Sequence, residues 1–261
     1  MSRTGNFWKS DLFISFNTDG SWSDQVWMGK DINSVGYNKP MRNTLWDTAY
    51  TKPYSLIVFG EVSNYIHREM KQLLIPKITE FKNWNEIEKL DDFSYPWLKE
   101  KPPKTEFRAY HDEKYLHFRF DAWGPEPLIF VNKNNKMDVT QSERVEIFFR
   151  SNEIMRPYYA LEMDPHGRVL DYKANFYRDF DFNWHWPEYL FIETKINKEG
   201  YNLIGKINLT TLNQLGLLKN NQIQVGLYRG HCNEIINEKA SMKWISWVDP
   251  KTQEPDFHVP S

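Results

Sequence analysis

Charged and polar side chains alternate with apolar ones along three short runs between residues 142 and 172. In the first run Val145, Ile147 and Phe149 share one parity, whereas Arg144 and Glu146 share the other. Because successive side chains of a strand point to opposite faces, this alternation predicts half-buried antiparallel strands. The polar side chains expected on the exposed sheet face are His117, Arg119, Arg144, Glu146, Arg150, Glu162, Arg168, Gln224 and Tyr228. Charge-assisted hydrogen bonds with arginines and carboxylates suit the vicinal hydroxyls of a sugar, so this face is a candidate binding surface. The other interpretation is a solvated face with cross-strand ion pairs.

Aromatic residues supply a second candidate surface. They make up 16% of the chain, which has 11 Trp, and seven of the seventeen residues from 173 to 189 are aromatic. A Trp or Tyr ring stacks on the apolar face of a sugar, a contact worth about 0.5–1.5 kcal/mol beyond area burial by analogy with aromatic pairs. Trp184 and Trp186 therefore fit either ligand binding or lid packing, and Trp123 is a further choice. Trp244 and Trp247 are also available as binding rings, although core packing is the favoured interpretation for both.

Metal and catalytic patterns are weak. The acids in predicted loops are Asp91, Asp92, Asp138, Asp164, Asp179 and Asp181. Their spacing matches no calcium loop, and His185, His231 and Cys232 make no zinc pattern. Glu143 and Glu146 are three apart on one strand, so they point to opposite faces and cannot flank one glycosidic bond. The sequence has neither a nucleophile elbow nor a phosphate loop, so we expect no enzymatic activity.

The elements that would position these side chains are short strands joined by recognisable turns. Asp164-Pro165-His166-Gly167 predicts a tight turn, because Pro presets φ and Gly tolerates positive φ. The remaining predicted strands are 105–111, 115–121, 191–196, 201–207 and 223–229, with short helices at 84–90 and 209–215. About eight short strands and at most two short helices predict an all-β, jelly-roll-like antiparallel sandwich.

Composition limits the classes of partner. The 261 residues carry a net charge of −2 and a pI of about 6.4, which favours neither nucleic acid nor an anionic membrane. No apolar run is long enough to span a bilayer. The single cysteine excludes an internal disulfide framework, and no secretory leader is visible at the first residues.

Three stretches, ERVEIFF from Glu143, YYALEM from Tyr158 and GRV from Gly167, resemble the central hairpin of family 9 carbohydrate-binding modules. Further similarity lies in 102–120, 225–229, 244–247 and 255–260, so the resemblance covers about residues 70–261. Residues 5–42 separately resemble one repeat of a TolB-like β-propeller, which as an isolated unit would form a hairpin or a disordered arm. We therefore expect 1–69 to be a partial repeat with linker, and 70–261 to be the carbohydrate-binding-like domain.

The resemblance implies non-catalytic binding of an oligo- or polysaccharide, linked to polysaccharide breakdown and to a glycoside hydrolase that acts on O-glycosyl bonds. By this resemblance, Glu146 and an Arg near Arg168 would hold a terminal sugar, and that sugar would lie between two tryptophans. The expected ligand-binding residues are Glu146, Arg168, Trp184, Trp186, Arg144 and Tyr228. The resemblance also implies structural calcium with unassigned ligands, a periplasmic, cell-surface or extracellular location, and a terminal strand after 255–258 whose absence indicates truncation.

Two alternatives remain open at this point. Family 9-like domains share their sandwich with haem-binding electron-transfer domains, in which Met155, Met163, Met242 or a His would be the axial ligand. The other alternative is a structural module without a ligand, because likeness of fold does not transfer function.

Overall fold

The computed structural model describes residues 71–259, together with the backbone of two short strands nearer the N-terminus. These strands, β1 (Leu12–Phe13) and β2 (Trp27–Met28), pair antiparallel. The rest of the predicted propeller-like repeat lies outside the described residues. The chain divides into two compact units, Met1–Met70 and Lys71–Ser261. No helix of the described residues has the length and apolar character that are needed to cross a bilayer.

One layer of the second unit is a five-stranded antiparallel sheet in the order β10-β11-β5-β4-β3. Its strands are β3 (Lys89–Leu90), β4 (Thr105–His111), β5 (Tyr115–Trp123), β10 (Phe191–Asn197) and β11 (Gly200–Asn208). The helix α1 (Leu209–Gln214) follows β11 directly, and its last turn is closed where Leu217 N donates to Leu212 O at 2.8 Å. Gly216 has a φ of 69° at this point, as expected of a residue that ends a helix in the left-handed region.

The other layer is a six-stranded antiparallel sheet in the order β15-β14-β6-β7-β8-β9. Its strands are β6 (Arg144–Arg150), β7 (Tyr158–Met163), β8 (Val169–Ala174), β9 (Phe180–Asp181), β14 (Val225–Ile236) and β15 (Lys239–Ser246). A small hairpin, β12 (Leu218–Lys219) with β13 (Gln222–Ile223), precedes β14. Two 3-10 turns, Trp84–Glu86 and Lys136–Gln141, complete the regular structure.

The predicted turn between β7 and β8 is present. Gly167 N donates to Asp164 O at 2.9 Å, and Gly167 has a φ of 77°. Asp164 also accepts from the backbone N–H of His166 and of Arg168 through its side chain, which fixes the turn further. The turn therefore sets the register in which Glu162 lies opposite Leu170.

The main core lies between the two sheets. It combines side chains such as Phe118 and Phe120 of the five-stranded sheet with Val145, Ile147 and Leu161 of the six-stranded sheet. Hydrophobic burial of these facing sides holds the layers together. The predicted all-β antiparallel sandwich with short helices is confirmed.

The expectation of half-buried strands is wrong for β6 and β7, which are buried on both faces. A second apolar cluster covers the outer face of the six-stranded sheet. Phe148 and Tyr172 belong to it, together with Val139 of the Lys136–Gln141 turn and Phe257 near the C-terminus. Segments remote in sequence therefore fold over the face that alternation alone predicts to be exposed.

Candidate functional site

Two carboxyl groups lie side by side in the outer face of the six-stranded sheet. Glu146 of β6 is directly opposite Glu162 of β7, and directly opposite residues of an antiparallel pair have closely spaced side chains. Arg144 Nε donates to Glu146 Oε1 at 2.8 Å. Glu162 Oε2 is also 2.8 Å from the same Nε, yet it accepts no hydrogen bond from any described residue, because a single N–H cannot point at both acids. The Nε–H group of Arg144 is thus hydrogen-bonded to Glu146 and only close enough to Glu162 to attract its charge.

The cluster continues to β8. The hydroxyl of Tyr172 donates to Glu162 Oε1 at 3.1 Å. Glu146 is 1% exposed and Glu162 is 6% exposed, so these polar groups lie below the molecular surface. A buried carboxyl without a full set of partners is expensive for a fold, and this cluster therefore needs a physical explanation.

Burial determines how the acid pair holds its protons. Burial and the charge of Glu162 raise the pKa of Glu146 to about 8, against the opposing effect of Arg144. Near neutral pH Glu146 therefore carries a proton and can donate a hydrogen bond, whereas a carboxylate can only accept. Such a pair of unlike carboxyl groups offers both a donor and an acceptor to a hydroxyl-bearing ligand.

Arg144, Glu146, Glu162 and Tyr172 form a polar row across the sheet. A partly exposed aromatic ring contacts each end of this row. The guanidinium of Arg144 lies 5.0 Å from the ring centre of Trp244 on β15. Gly230 permits this approach, since a Cβ there would stand 3.3 Å from Arg144 Nη1 and 3.2 Å from Trp244. At the other end the ring of Phe182, 36% exposed, lies 5.3 Å from that of Tyr172. The contacts therefore run from one ring, across the acid pair, to the other.

The C-terminal segment covers the adjoining part of the face. Phe257 stacks on Tyr228 with ring centres 3.9 Å apart, and it meets Trp244 edge-on at 5.7 Å. His258 lies against the ring of Phe148, and its Nδ1 is 2.9 Å from the Tyr158 hydroxyl. Tyr228 is opposite Glu146 in the sheet, but its ring is already occupied by this contact with Phe257.

Arg168 belongs to a different network. Its Nη2 lies 2.6 Å from Asp164 Oδ2 and 2.7 Å from Phe130 O, and its Nη1 is 3.3 Å from Asp138. Asp138 Oδ2 in turn accepts three backbone N–H groups of the loop at 132–134. Arg168 therefore fastens this loop to the β7–β8 turn and does not contact the acid pair.

Trp184 and Trp186 lie on the other face of the sheet. Trp186 is 5% exposed within the main core, where its ring centre is 5.6 Å from that of Phe149. Trp184 packs edge-on against it at 5.8 Å. Asp171 holds this loop inward, because its Oδ2 accepts from Trp186 N at 2.7 Å. Of the two interpretations of these rings, the structure shows packing.

The six predicted ligand-binding residues thus fall into three places. Arg144 and Glu146 come together, with Tyr228 beside them, whereas Arg168 and the two tryptophans lie elsewhere. The prediction that His117 and Arg119 share this face is wrong, because both lie on β5 of the opposite sheet. Period-two alternation identifies the two sides of a strand, but it cannot assign a strand to a sheet.

The sequence does not predict Tyr172, Phe182 or Trp244 as site residues, and it predicts Glu162 only as part of the polar face. Tyr172 has the parity that places it on the same side of the sheet as Glu162, given the turn between their strands. That signal was available in the sequence. Trp244 was expected in the core, and its partial exposure depends on the course of the C-terminal segment.

The other candidate chemistries find little support in the described residues. Glu143 pairs with the buried Arg229 at 2.7 Å, away from Glu146, as expected from their opposite faces. No group of three or more His, Cys, Asp or Glu within this part of the chain has the arrangement to hold a metal ion, so structural calcium stays a prediction. Met155 and Met163, named as axial haem ligands, lie in separate core clusters.

The family model described as "Carbohydrate family 9 binding domain-like" matches residues 81–261. No curated protein matches the chain. The comparisons do not support the predicted propeller-like repeat in residues 5–42.

Three solved structures are similar at low identity. A candidate carbohydrate-binding protein from Bacteroides uniformis is 17% identical with a TM-score of 0.49, over 67% of this chain and 84% of that one. A family 9 module from Caldicellulosiruptor kristjanssonii in complex with cellotriose is 12% identical with a TM-score of 0.40, over 66% and 80%. The structure of a family 9 module from that organism with glucose is 16% identical with a TM-score of 0.34, over 67% and 81%.

The family match carries the assignment, because it spans well over half of the chain. The chain therefore belongs to the family of carbohydrate family 9 binding domain-like proteins.

Proposed function

We propose that this chain binds an oligo- or polysaccharide without catalysis, on the outer face of its six-stranded sheet. The observation that carries the proposal is the acid pair Glu146–Glu162, which shares one N–H of Arg144 and in which Glu162 Oε2 accepts no hydrogen bond from residues 71–259. A ligand hydroxyl that donates to this oxygen would satisfy a group that the fold leaves unsatisfied.

The two flanking rings give the site its shape. Trp244 and Phe182 are the partly exposed rings at the two ends of the polar row, and the apolar C–H face of a sugar stacks on such rings. The carboxyl groups lie below the surface, and the ring of Phe182 is linked to them through Tyr172. Trp184 and Trp186 have no part in this site because they pack on the opposite face.

Membership of the family supports this proposal, and the wider role follows from it. We expect the domain to direct glycan-degrading machinery, such as a glycoside hydrolase, to its polysaccharide. The chain itself would supply recognition, because the guanidinium of Arg144 lies between the two carboxyl groups of the acid pair. The carboxyl groups of Glu146 and Glu162 share one guanidinium N–H, whereas a hydrolase must hold a sugar bond between its two acids.

The test is titration calorimetry with glucose and cellotriose on the full chain. We expect binding by the parent protein, and a loss of about tenfold in affinity in Glu162→Gln and in Trp244→Ala. Tyr189→Ala is the matched control, since Tyr189 is an aromatic residue that is 91% exposed and lies outside the site. Folding of each variant is checked by near-ultraviolet circular dichroism. Absence of heat with every sugar, using folded protein, would leave a structural module as the remaining interpretation.

A further inference from the structure

The acid pair is not balanced in charge. The charges that act on Glu146 are those of Glu162 and Arg144. Two ionised carboxylates beside one guanidinium would leave one negative charge without compensation in a buried site. Tyr172 of β8 adds a neutral hydroxyl, which donates to Glu162 Oε1, and the C-terminal segment adds His258, which interacts electrostatically with Arg144.

The fold resolves this imbalance by keeping a proton on the pair. Burial and the charge of Glu162 raise the pKa of Glu146 to about 8. A neutral ligand leaves this arrangement unchanged, because it brings hydroxyls but no charge. A cationic ligand group would instead allow both acids to ionise, and Coulomb attraction between opposite charges is strong where water is excluded.

Glu162 Oε2 is the acceptor available to such a cation. Glu162 Oε2 is buried, has no hydrogen bond from the described residues and belongs to a side chain that is 8% exposed. An ammonium group has three donors and no acceptor, so it suits a site that has unsatisfied carboxyl oxygens. The cost of desolvating the two acids is already met in folding, which leaves only the desolvation of the ligand cation.

We propose that this site prefers a sugar with a protonated amino group, a hexosamine, to the neutral sugar of the same shape, and that it rejects a uronate. This inference rests on the proposed sugar binding at Glu146 and Glu162. The proton of Glu146 leaves to solvent when the ammonium binds, so charge balances within the complex: two carboxylates face one guanidinium and one ammonium. A uronate would add a third negative charge and is therefore disfavoured.

The experiment compares glucosamine, glucose and glucuronate by titration calorimetry at about pH 6, in two buffers that differ in ionisation enthalpy. We expect glucosamine to bind about tenfold more tightly than glucose, and glucuronate more weakly than either. Glucosamine should release about one proton to the buffer on binding, whereas glucose should release none. The proton count is independent of any variant and needs only the parent protein.

Two variants separate charge from hydrogen bonding. Glu162→Gln should abolish the preference for glucosamine, because the remaining Glu146 is already paired with Arg144. Tyr172→Phe removes a hydrogen bond to the same carboxyl but no charge, so the preference should remain. Equal affinities for glucose and glucosamine, with no proton release, would overturn this inference and leave the proposed sugar binding intact. Failure of all three sugars to bind would overturn both.

Discussion

Replacement of Glu146 by Gln tests whether the acid pair holds a proton in the folded protein. The pKa of Glu146 is raised from 4.5 to about 8, by burial first and by the charge of Glu162 second. Between these pH values the folded state binds a proton that the unfolded state does not. The contribution of this group to stability is therefore fully present below pH 4.5, and it is lost as the pH rises through about 8.

The magnitude follows from the linkage relation. Each pH unit in this window lowers the free energy of unfolding by about 1.4 kcal/mol through Glu146, so the loss at pH 7 is about 3 kcal/mol. Gln resembles the protonated acid and cannot ionise. We therefore expect Glu146→Gln to match the parent protein near pH 5 and to exceed its stability by about 3 kcal/mol at pH 7.

His258 changes the pH dependence of stability in the opposite direction, and its effect must be separated from the effect of Glu146. Burial lowers the pKa of His258 from 6.5 to about 4. The unfolded state therefore binds more protons in this range, and stability is lost as the pH falls from 6.5 towards 4. In the parent protein the two groups partly cancel below pH 6.5, so the difference between parent and variant is the informative quantity.

The assay is urea unfolding of the full chain, followed by tryptophan fluorescence at about pH 5, 7 and 9. Glu199→Gln serves as the control, since Glu199 is an exposed acid at the β10–β11 turn. Parallel pH profiles for the parent protein and Glu146→Gln would refute the reasoning, because they would show that Glu146 is ionised in the folded state.

Three further predictions concern the packing that supports the site. Arg229→Met should lower the free energy of unfolding by about 3 kcal/mol, because the buried Glu143 loses its arginine and keeps only His231 and the Cys232 N–H as partners, and adding Glu143→Gln should restore part of the loss in urea titrations. Gly200→Ala should lower the stability by about 1–3 kcal/mol, because Gly200 has a φ of 124° and a Cβ there would lie 2.0 Å from Ala122 O; an unchanged melting temperature would contradict this. Trp186→Ala should cost about 3–5 kcal/mol as a core truncation, while the folded fraction keeps its sugar affinity in calorimetry; loss of binding without loss of stability would contradict the placement of this ring.

Which side chains share a face was predictable from local sequence patterns. Alternation along 144–150 and 158–163 separated Val145 and Ile147 from Glu146, and both sets lie where this parity requires. The turn at Asp164–Gly167 was readable because Pro and Gly restrict the backbone in known ways. These features are local, so neighbours in the chain are sufficient to determine them.

What covers each face depends on packing between segments that are distant in the chain. The outer face of the six-stranded sheet is buried by the Lys136–Gln141 turn and by Phe257, although its alternation resembles that of a solvated sheet. Trp184 and Trp186 turned inward because Asp171, on a strand earlier in the chain, accepts the backbone N–H of Trp186. Period two specifies opposite sides of a strand but carries no information about which distant segment packs there, and that packing decides which rings reach solvent and which acids lose it.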